Sequence, residues 1–151
     1  MTFLLTRELG RLAKWLRIFG FDALYSHEDN FGAIVIQALR ESRIIITRNH
    51  RLARSCRTKT VLLKSETLKN QVVELLKELQ LDLKSDKMFR RCILCNVELV
   101  AIEKERVRGQ VPDYVFQTQD SFITCPACKR IYWSGTHWGN VMQTLEEIGL
   151  S

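Results

Sequence analysis

The sequence predicts an α/β fold in which a parallel sheet flanked by helices is followed by a second, much smaller domain. Two observations predict it. Short apolar segments alternate with helical segments through residues 1–83, which is the pattern of a parallel sheet. Two Cys-x-x-Cys pairs, separated by 29 residues, then lie within residues 84–151. A segment of that size builds only a small hydrophobic core, so it needs another source of stability.

The strands of the first domain are predicted from four short apolar runs. The third is the clearest, because Ile44, Ile45 and Ile46 are consecutive β-branched residues between polar neighbours. The four runs are 1–5, 21–25, 43–47 and 61–63. Sites in such sheets lie beyond the carboxyl ends of the strands. Functional residues are therefore expected near Thr6, near 25–26, at 47–49 and near Lys64.

The helices are predicted from apolar residues recurring at three- and four-residue steps. The first helix has an apolar and a basic face, and Gly20 is predicted to end it because glycine tolerates the left-handed conformation. Its apolar residues are Leu9, Leu12, Ala13, Leu16 and Phe19, and its basic residues are Arg7, Arg11, Lys14 and Arg17. Residues 33–40 predict a second, largely buried helix. A short helix follows the third strand, and an amphipathic helix covers about 68–79.

The second domain is predicted to begin with a polar, basic linker over 84–91. Strand-like runs at 98–102, 122–124 and 130–133 predict a few antiparallel strands around the cysteine pairs, as in a zinc ribbon. The domains are therefore expected to be 1–83 and 84–151.

The cysteine pairs predict a structural zinc site. Each pair can close a tight turn that points two thiolates at one ion, and Cys92, Cys95, Cys125 and Cys128 together supply a tetrahedral set. No signal peptide is recognisable, so we expect a cytoplasmic, reducing compartment in which paired thiols favour metal over disulfide. An iron–sulfur cluster or four reduced thiols are the alternatives. Because four thiolates leave no open position, the zinc is not expected to be catalytic.

Charge distribution separates the two domains. The formal net charge is +6, and no apolar run is long enough to cross a membrane. Residues 1–83 hold 14 Lys and Arg against 9 Asp and Glu, whereas residues 84–151 hold 9 against 8. The positive excess therefore belongs to the first domain, which fits an anionic partner such as nucleic acid.

Several segments resemble the Mut-seven C-terminal RNase family. The resemblance rests on 3–5, 9–17, 20–22, 43–48, 52–53 and 111–112, on both cysteine pairs, and on the ending Ile-Tyr-Trp-Ser-Gly-Thr-His-Trp at 131–138. It implies a PIN-like α/β domain with a zinc ribbon, and cleavage of single-stranded RNA. The implied mechanism uses Mg²⁺ or Mn²⁺ held by carboxylates at the strand ends to activate water.

The acidic positions that the resemblance implies are substituted here. Thr6 stands where the family has Asp after the first strand, and Asn49 stands where it has Asp after the third. Around the start of the second helix, the acids lie just upstream, at Glu28 and Asp29. An amide or hydroxyl supplies no negative charge to hold a divalent ion. A surviving metal site would have to use a shifted cluster of Glu8, Glu28 and Asp29.

We therefore predict RNA binding with nuclease activity weakened or lost. The predicted contacts are Arg7, Arg48, Asn49, Arg51, Arg54, Lys129, Arg130, Tyr132, His137 and Trp138. Basic and aromatic side chains together hold phosphates and stack bases, although the aromatic residues after the last cysteine could equally pack over the metal. An active single-stranded endoribonuclease and a non-catalytic module on a ribonucleoprotein are the alternatives.

Overall fold

The structure, a computed structural model, describes residues 1–133, 143, 145 and 146. The chain divides into two compact units, Met1–Asn96 and Val97–Ser151. The linker predicted at 84–91 thus falls within the first unit, and the domain boundary at 83/84 stays a prediction. Among the described helices, none has the length and apolar composition that crossing a membrane requires.

The first unit is built on a four-stranded parallel sheet, which confirms the predicted α/β fold. The strands lie in the order β2-β1-β3-β4, and four helices connect or follow them. The strands are β1 Thr2–Leu5, β2 Asp22–Tyr25, β3 Ile44–Thr47 and β4 Thr60–Leu62. The helices are α1 Gly10–Ile18, α2 Phe31–Glu41, α3 His50–Ser55 and α4 Leu68–Glu78. Because every pair of strands is parallel, the carboxyl ends of β1, β2 and β3 meet at one edge.

The central strands are mostly apolar because they are buried on both faces. Leu4, Leu5, Ile45 and Ile46 are fully inaccessible to solvent, and they form the centre of the core. A parallel sheet covered by helices produces this apolar pattern rather than an alternation of apolar and polar residues.

The end of α1 confirms the role predicted for Gly20. Its φ is +96°, and the N–H groups of Gly20 and Phe21 donate to the carbonyls of Arg17 and Leu16, which is a Schellman ending. A Cβ at Gly20 would lie 2.2 Å from the carbonyl oxygen of Lys87. Glycine is therefore required for two reasons: the positive φ, and the close approach of the Lys87 backbone, which leaves no room for a side chain.

Two helical predictions were wrong in detail. The second helix is not largely buried: Ile34 and Ala38 face the core, whereas Ile36 and Leu39 are 56% and 62% exposed. Arg17 does not lie on an exposed basic face; it is buried, because its guanidinium has backbone partners inside the unit. Helical spacing alone does not reveal either outcome, since both depend on what the rest of the chain places against the helix.

The second unit contains a three-stranded antiparallel sheet in the order β5-β6-β7. These strands are β5 Val100–Ile102, β6 Phe122–Thr124 and β7 Ile131–Trp133, close to the three predicted runs. A 3-10 turn, Lys104–Val107, and a short helix, α5 Asp113–Thr118, lie between β5 and β6 and were not predicted. Val107, Val111, Val115 and Phe122 form its core.

Candidate metal centre and nucleic-acid interface

Four cysteine thiols form the one cluster of potential metal ligands that the described residues bring together. The Sγ atoms of Cys92, Cys95, Cys125 and Cys128 all lie within 4.8 Å of one another. Tetrahedral zinc with Zn–S bonds of about 2.3 Å places its sulfur atoms about 3.8 Å apart. Shifts of about an ångström therefore suffice to close the set around one ion, and the donor set is that of a structural zinc site.

The backbone of both cysteine pairs has the form of a metal knuckle. The N–H of Asn96 donates to the carbonyl of Cys92 at 2.9 Å, and the N–H of Lys129 donates to the carbonyl of Cys125 at 2.8 Å. Asn96 and Lys129 both have positive φ values, +63° and +65°. Each cysteine pair therefore lies in a tight turn of the same kind.

Arg17 anchors the first knuckle inside the first unit. Its Nη1 donates to the carbonyls of Ile93 at 2.6 Å and Leu94 at 3.2 Å, and its Nε donates to the carbonyl of Ala23 on β2. Asn96 makes a second link, because its Oδ1 accepts from the N–H of Ala23 at 3.0 Å. The knuckle that carries Cys92 is thus attached to the edge strand of the sheet.

Glu8 occupies the sheet edge where the carboxyl ends of β1 and β3 meet. Its Oε1 lies 2.7 Å from the hydroxyl of Thr6, 3.2 Å from that of Thr47 and 2.9 Å from the N–H of Arg48. Partial burial raises the pKa of Glu8, but the hydrogen bonds from Arg48, Thr6 and Thr47 outweigh it, so the pKa is lowered. Glu8 is therefore ionised at neutral pH.

Thr6 and Asn49, the two positions where the loss of an acid was predicted, both have identifiable structural roles. Thr6 is buried, and its hydroxyl lies 2.9 Å from that of Thr47, so it joins β1 to β3 as well as to Glu8. The Oδ1 of Asn49 accepts from the N–H of Leu52 and caps α3. Asn49 thus performs a task for which Asp would serve equally well, while it adds no charge.

The two other candidate acids have partners of their own. Oε1 of Glu28 accepts from the N–H groups of Asp29 and Asn30, which shapes the turn before α2. Asp29 forms a salt bridge of 3.2 Å with Arg7, and both side chains are largely exposed. Asn30 caps α2 through Ala33. The shifted acid cluster stays a prediction, since the described residues contain no group of three carboxylates within ligand distance of one another.

The arginines after β3 carry positive charge without acidic partners among the residues that the structure describes. Arg51 and Arg54 lie three residues apart on the exposed side of α3. Within the described part of the chain, neither forms a salt bridge, and nor does Arg48. The Nε of Arg48 is buried and has no hydrogen-bond partner among the described residues. Arg51 and Arg54 therefore place exposed positive charge shortly after β3, and their contact with RNA stays a prediction.

The contacts predicted in the second unit divide into exposed and buried residues. Lys129 and Arg130 are exposed, whereas Tyr132 lies in the middle of β7 and is only 9% exposed. Trp133 packs edge-on against Phe122, with 6.5 Å between the ring centroids. His137 and Trp138 lie outside the described residues.

The sequence was compared with models of known protein families, with curated proteins and with solved structures. The family model of the Mut7-C RNAse domain matches residues 1–145 of the 151. The chain belongs to the Mut7-C RNAse family. Neither a curated protein nor a solved structure matches it.

Because the chain belongs to the Mut7-C RNAse family, the carboxylates at the strand ends can be compared with what a ribonuclease needs. A ribonuclease that uses divalent ions needs several carboxylates around one point. Among the described residues, the hydrogen-bond network at the ends of β1 and β3 has one carboxylate, that of Glu8, which accepts from two hydroxyls and an N–H. A second feature, the attachment of the first knuckle through Arg17, left no signal in the sequence, because a buried arginine looks like a surface one in a helical pattern.

Proposed function

We propose that this chain binds single-stranded RNA along the carboxyl edge of its parallel sheet, and that its nuclease activity is weakened or lost. The observation that carries the proposal is the charge around Glu8. At the ends of β1 and β3, the described residues place one carboxylate, that of Glu8, in the hydrogen-bond network. Arg48, Arg51 and Arg54 follow β3 without acidic partners among the described residues. Such a surface attracts phosphate and provides too little negative charge to concentrate a divalent cation.

Family membership supports the choice of RNA as the anion. A Mut7-C RNAse domain covers residues 1–145, and a domain that loses catalytic acids can keep the surface that holds its substrate. Arginine suits this role because its planar guanidinium donates to phosphate in a bidentate manner.

Salt dependence tests the binding. The change is Arg51→Ala with Arg54→Ala, since both side chains are exposed and removing them leaves the core intact. Affinity for fluorescent single-stranded RNA should fall, and the slope of log K against log salt should flatten by about 0.7 for each phosphate that the variant no longer neutralises. The control is Arg40→Ala with Lys77→Ala, two exposed cations on α2 and α4. An unchanged slope in the first variant would remove the basic surface from the account.

Glu8→Gln separates binding from catalysis. Glutamine retains a side-chain oxygen that accepts from Arg48, Thr6 and Thr47, but it removes the charge. If the surface only binds RNA, affinity should rise by about threefold to tenfold, because a carboxylate that repels phosphate is gone.

An active nuclease is the second candidate, and one observation favours it. Glu8 is ionised and lies where the family mechanism needs a ligand, and the bonds from Thr6, Thr47 and Arg48 all reach its Oε1 rather than its Oε2. In this case Mn²⁺ should support cleavage of single-stranded RNA by the wild type, and Glu8→Gln should abolish it. A module that docks on a ribonucleoprotein through protein contacts would instead bind free RNA weakly, with little salt dependence.

A further inference from the structure

A cavity of about 310 Å³ lies beside α1, and none of its lining residues belongs to the hydrogen-bond network of Glu8. Its lining residues are Gly10, Arg11, Ala13, Lys14, Arg17 and Tyr25. This volume is at the lower end of the range of about 300–1,000 Å³ found for small-molecule sites. Three of these lining residues are cations and none of them is acidic.

The positive charges of two lining residues, Arg11 and Lys14, are open to a ligand. Arg11 and Lys14 are exposed and lie three residues apart on α1. Neither has a salt bridge within the part of the chain that the structure describes. Arg17 is fixed at the inner side by its bonds to the carbonyls of Ala23 and Ile93. Two exposed cations and one fixed cation therefore share one concave surface.

Tyr25 provides an aromatic wall that is held in one orientation. Its hydroxyl donates to the carbonyl of Arg7, and the ring of His27 meets its ring edge-on at 4.7 Å. Gly10 permits the close approach, because a Cβ there would lie 3.3 Å from the Tyr25 ring. A ring fixed before binding loses little conformational entropy when a planar group stacks on it.

We propose that this cavity is a second nucleotide subsite, in which one base of single-stranded RNA stacks on Tyr25 while Arg11 and Lys14 contact the adjacent phosphate. The inference rests on the proposed function and extends the RNA-binding surface from the strand ends to α1. Tyr25 is the last residue of β2, at the carboxyl edge of the sheet. Its hydroxyl donates to the carbonyl of Arg7, the neighbour of Glu8. Stacking on an aromatic ring together with cationic backbone contacts is a general mode of single-strand recognition.

RNA length tests the subsite. Affinities are measured for four- and ten-nucleotide oligouridines with wild type, with Arg11→Ala/Lys14→Ala, and with the control Arg40→Ala/Lys77→Ala. The ten-nucleotide RNA should bind the first variant about tenfold more weakly than the wild type, while the four-nucleotide RNA and the control variant change by less than about twofold. Equal affinity of that variant and wild type for the longer RNA, or an equal loss at both lengths, overturns the subsite. If the wild type binds neither RNA, the proposed function fails with it.

Two substitutions of Tyr25 test whether its ring stacks on a base. Tyr25→Leu keeps apolar bulk but loses the π face, whereas Tyr25→Phe loses only the hydroxyl. The first should weaken binding of the longer RNA about tenfold and the second by less than about threefold, with folding checked by circular dichroism. Equal effects of the two changes contradict stacking. Uridine monophosphate is the competing occupant: if it binds wild type as tightly as the longer RNA, the cavity is a mononucleotide site and the proposal is overturned.

Discussion

Glu8 links the charge of the strand ends to the stability of the fold. Its pKa is lowered because hydrogen bonds from Arg48, Thr6 and Thr47 outweigh its desolvation. A carboxylate with a depressed folded-state pKa contributes stability that is fully present above the unfolded value of about 4.3 and is lost as the pH falls through the folded value.

Acid titration of stability measures this contribution. Wild type should be more stable than Glu8→Gln at neutral pH, and the difference should shrink as the pH falls below about 4.3. Urea denaturation between neutral pH and about pH 3 gives both curves. A difference that stays constant over this range would mean that the hydrogen bonds of Glu8 do not favour its charged form.

Gly20 is a residue-scale test of the packing between α1 and the segment that follows α4. Gly20→Ala should lower the free energy of unfolding by about 2 kcal/mol or more, because φ is +96° and the new Cβ meets the Lys87 carbonyl. Gly109→Ala is the control: its φ is also positive, +80°, but no atom lies within 4 Å of the new Cβ. It should cost about 1 kcal/mol. Equal losses in the two variants would show that the close approach is absent.

At the scale of the elements, the ends of β1 and β3 set what the sheet edge can bind. Asn49 caps α3, and Asp is an equally good cap, so Asn49→Asp should preserve stability while Asn49→Ala lowers it by about 1 kcal/mol. Thr6→Asp differs, because it places a second carboxylate against Glu8, which lies 2.7 Å from the present hydroxyl. The two changes therefore separate capping from charge.

If positions 6 and 49 are ligand positions of the family, Asp at both should create a divalent site. Thr6→Asp/Asn49→Asp is expected to be less stable than wild type without metal, because the new carboxylates repel Glu8, and to regain stability in Mn²⁺. Thermal unfolding with and without Mn²⁺ measures the effect, with wild type as the control. Absence of a gain in Mn²⁺ would mean that positions 6 and 49 are not the ligand positions of the family.

At the scale of the whole molecule, we propose that one zinc ion holds the two cysteine knuckles in place. Purified protein should carry one zinc ion per chain. Cys92→Ser should lose it and unfold the region around the cysteines, because small metal-bound segments fold only with their ion. Cys56→Ser is the control, since Cys56 lies outside the cluster. Full zinc content in Cys92→Ser would contradict the assignment.

The features that depend on local pattern were predictable from the sequence. Alternating apolar runs indicated the parallel order of strands, Gly20 indicated the end of α1, and the cysteine spacing indicated the metal cluster. The burial of Arg17 and the exposed apolar side of α2 were not predictable, because they depend on which surfaces the rest of the chain covers. At the site, the loss of a metal ligand at Asn49 stays a prediction, and the role of Asn49 as the cap of α3 was not predicted. Glu8 was named as a candidate acid but not as the partner of Thr6 and Thr47.

Cleavage of single-stranded RNA by zinc-loaded protein in Mn²⁺ is the most direct test of the central claim. The account predicts that wild type binds the RNA in a salt-dependent manner and leaves it intact, at the same background level as Glu8→Gln and as an EDTA control. Cleavage by wild type that requires Mn²⁺ and disappears in Glu8→Gln would contradict it, and would make the strand-end carboxylate a working ligand of a nuclease.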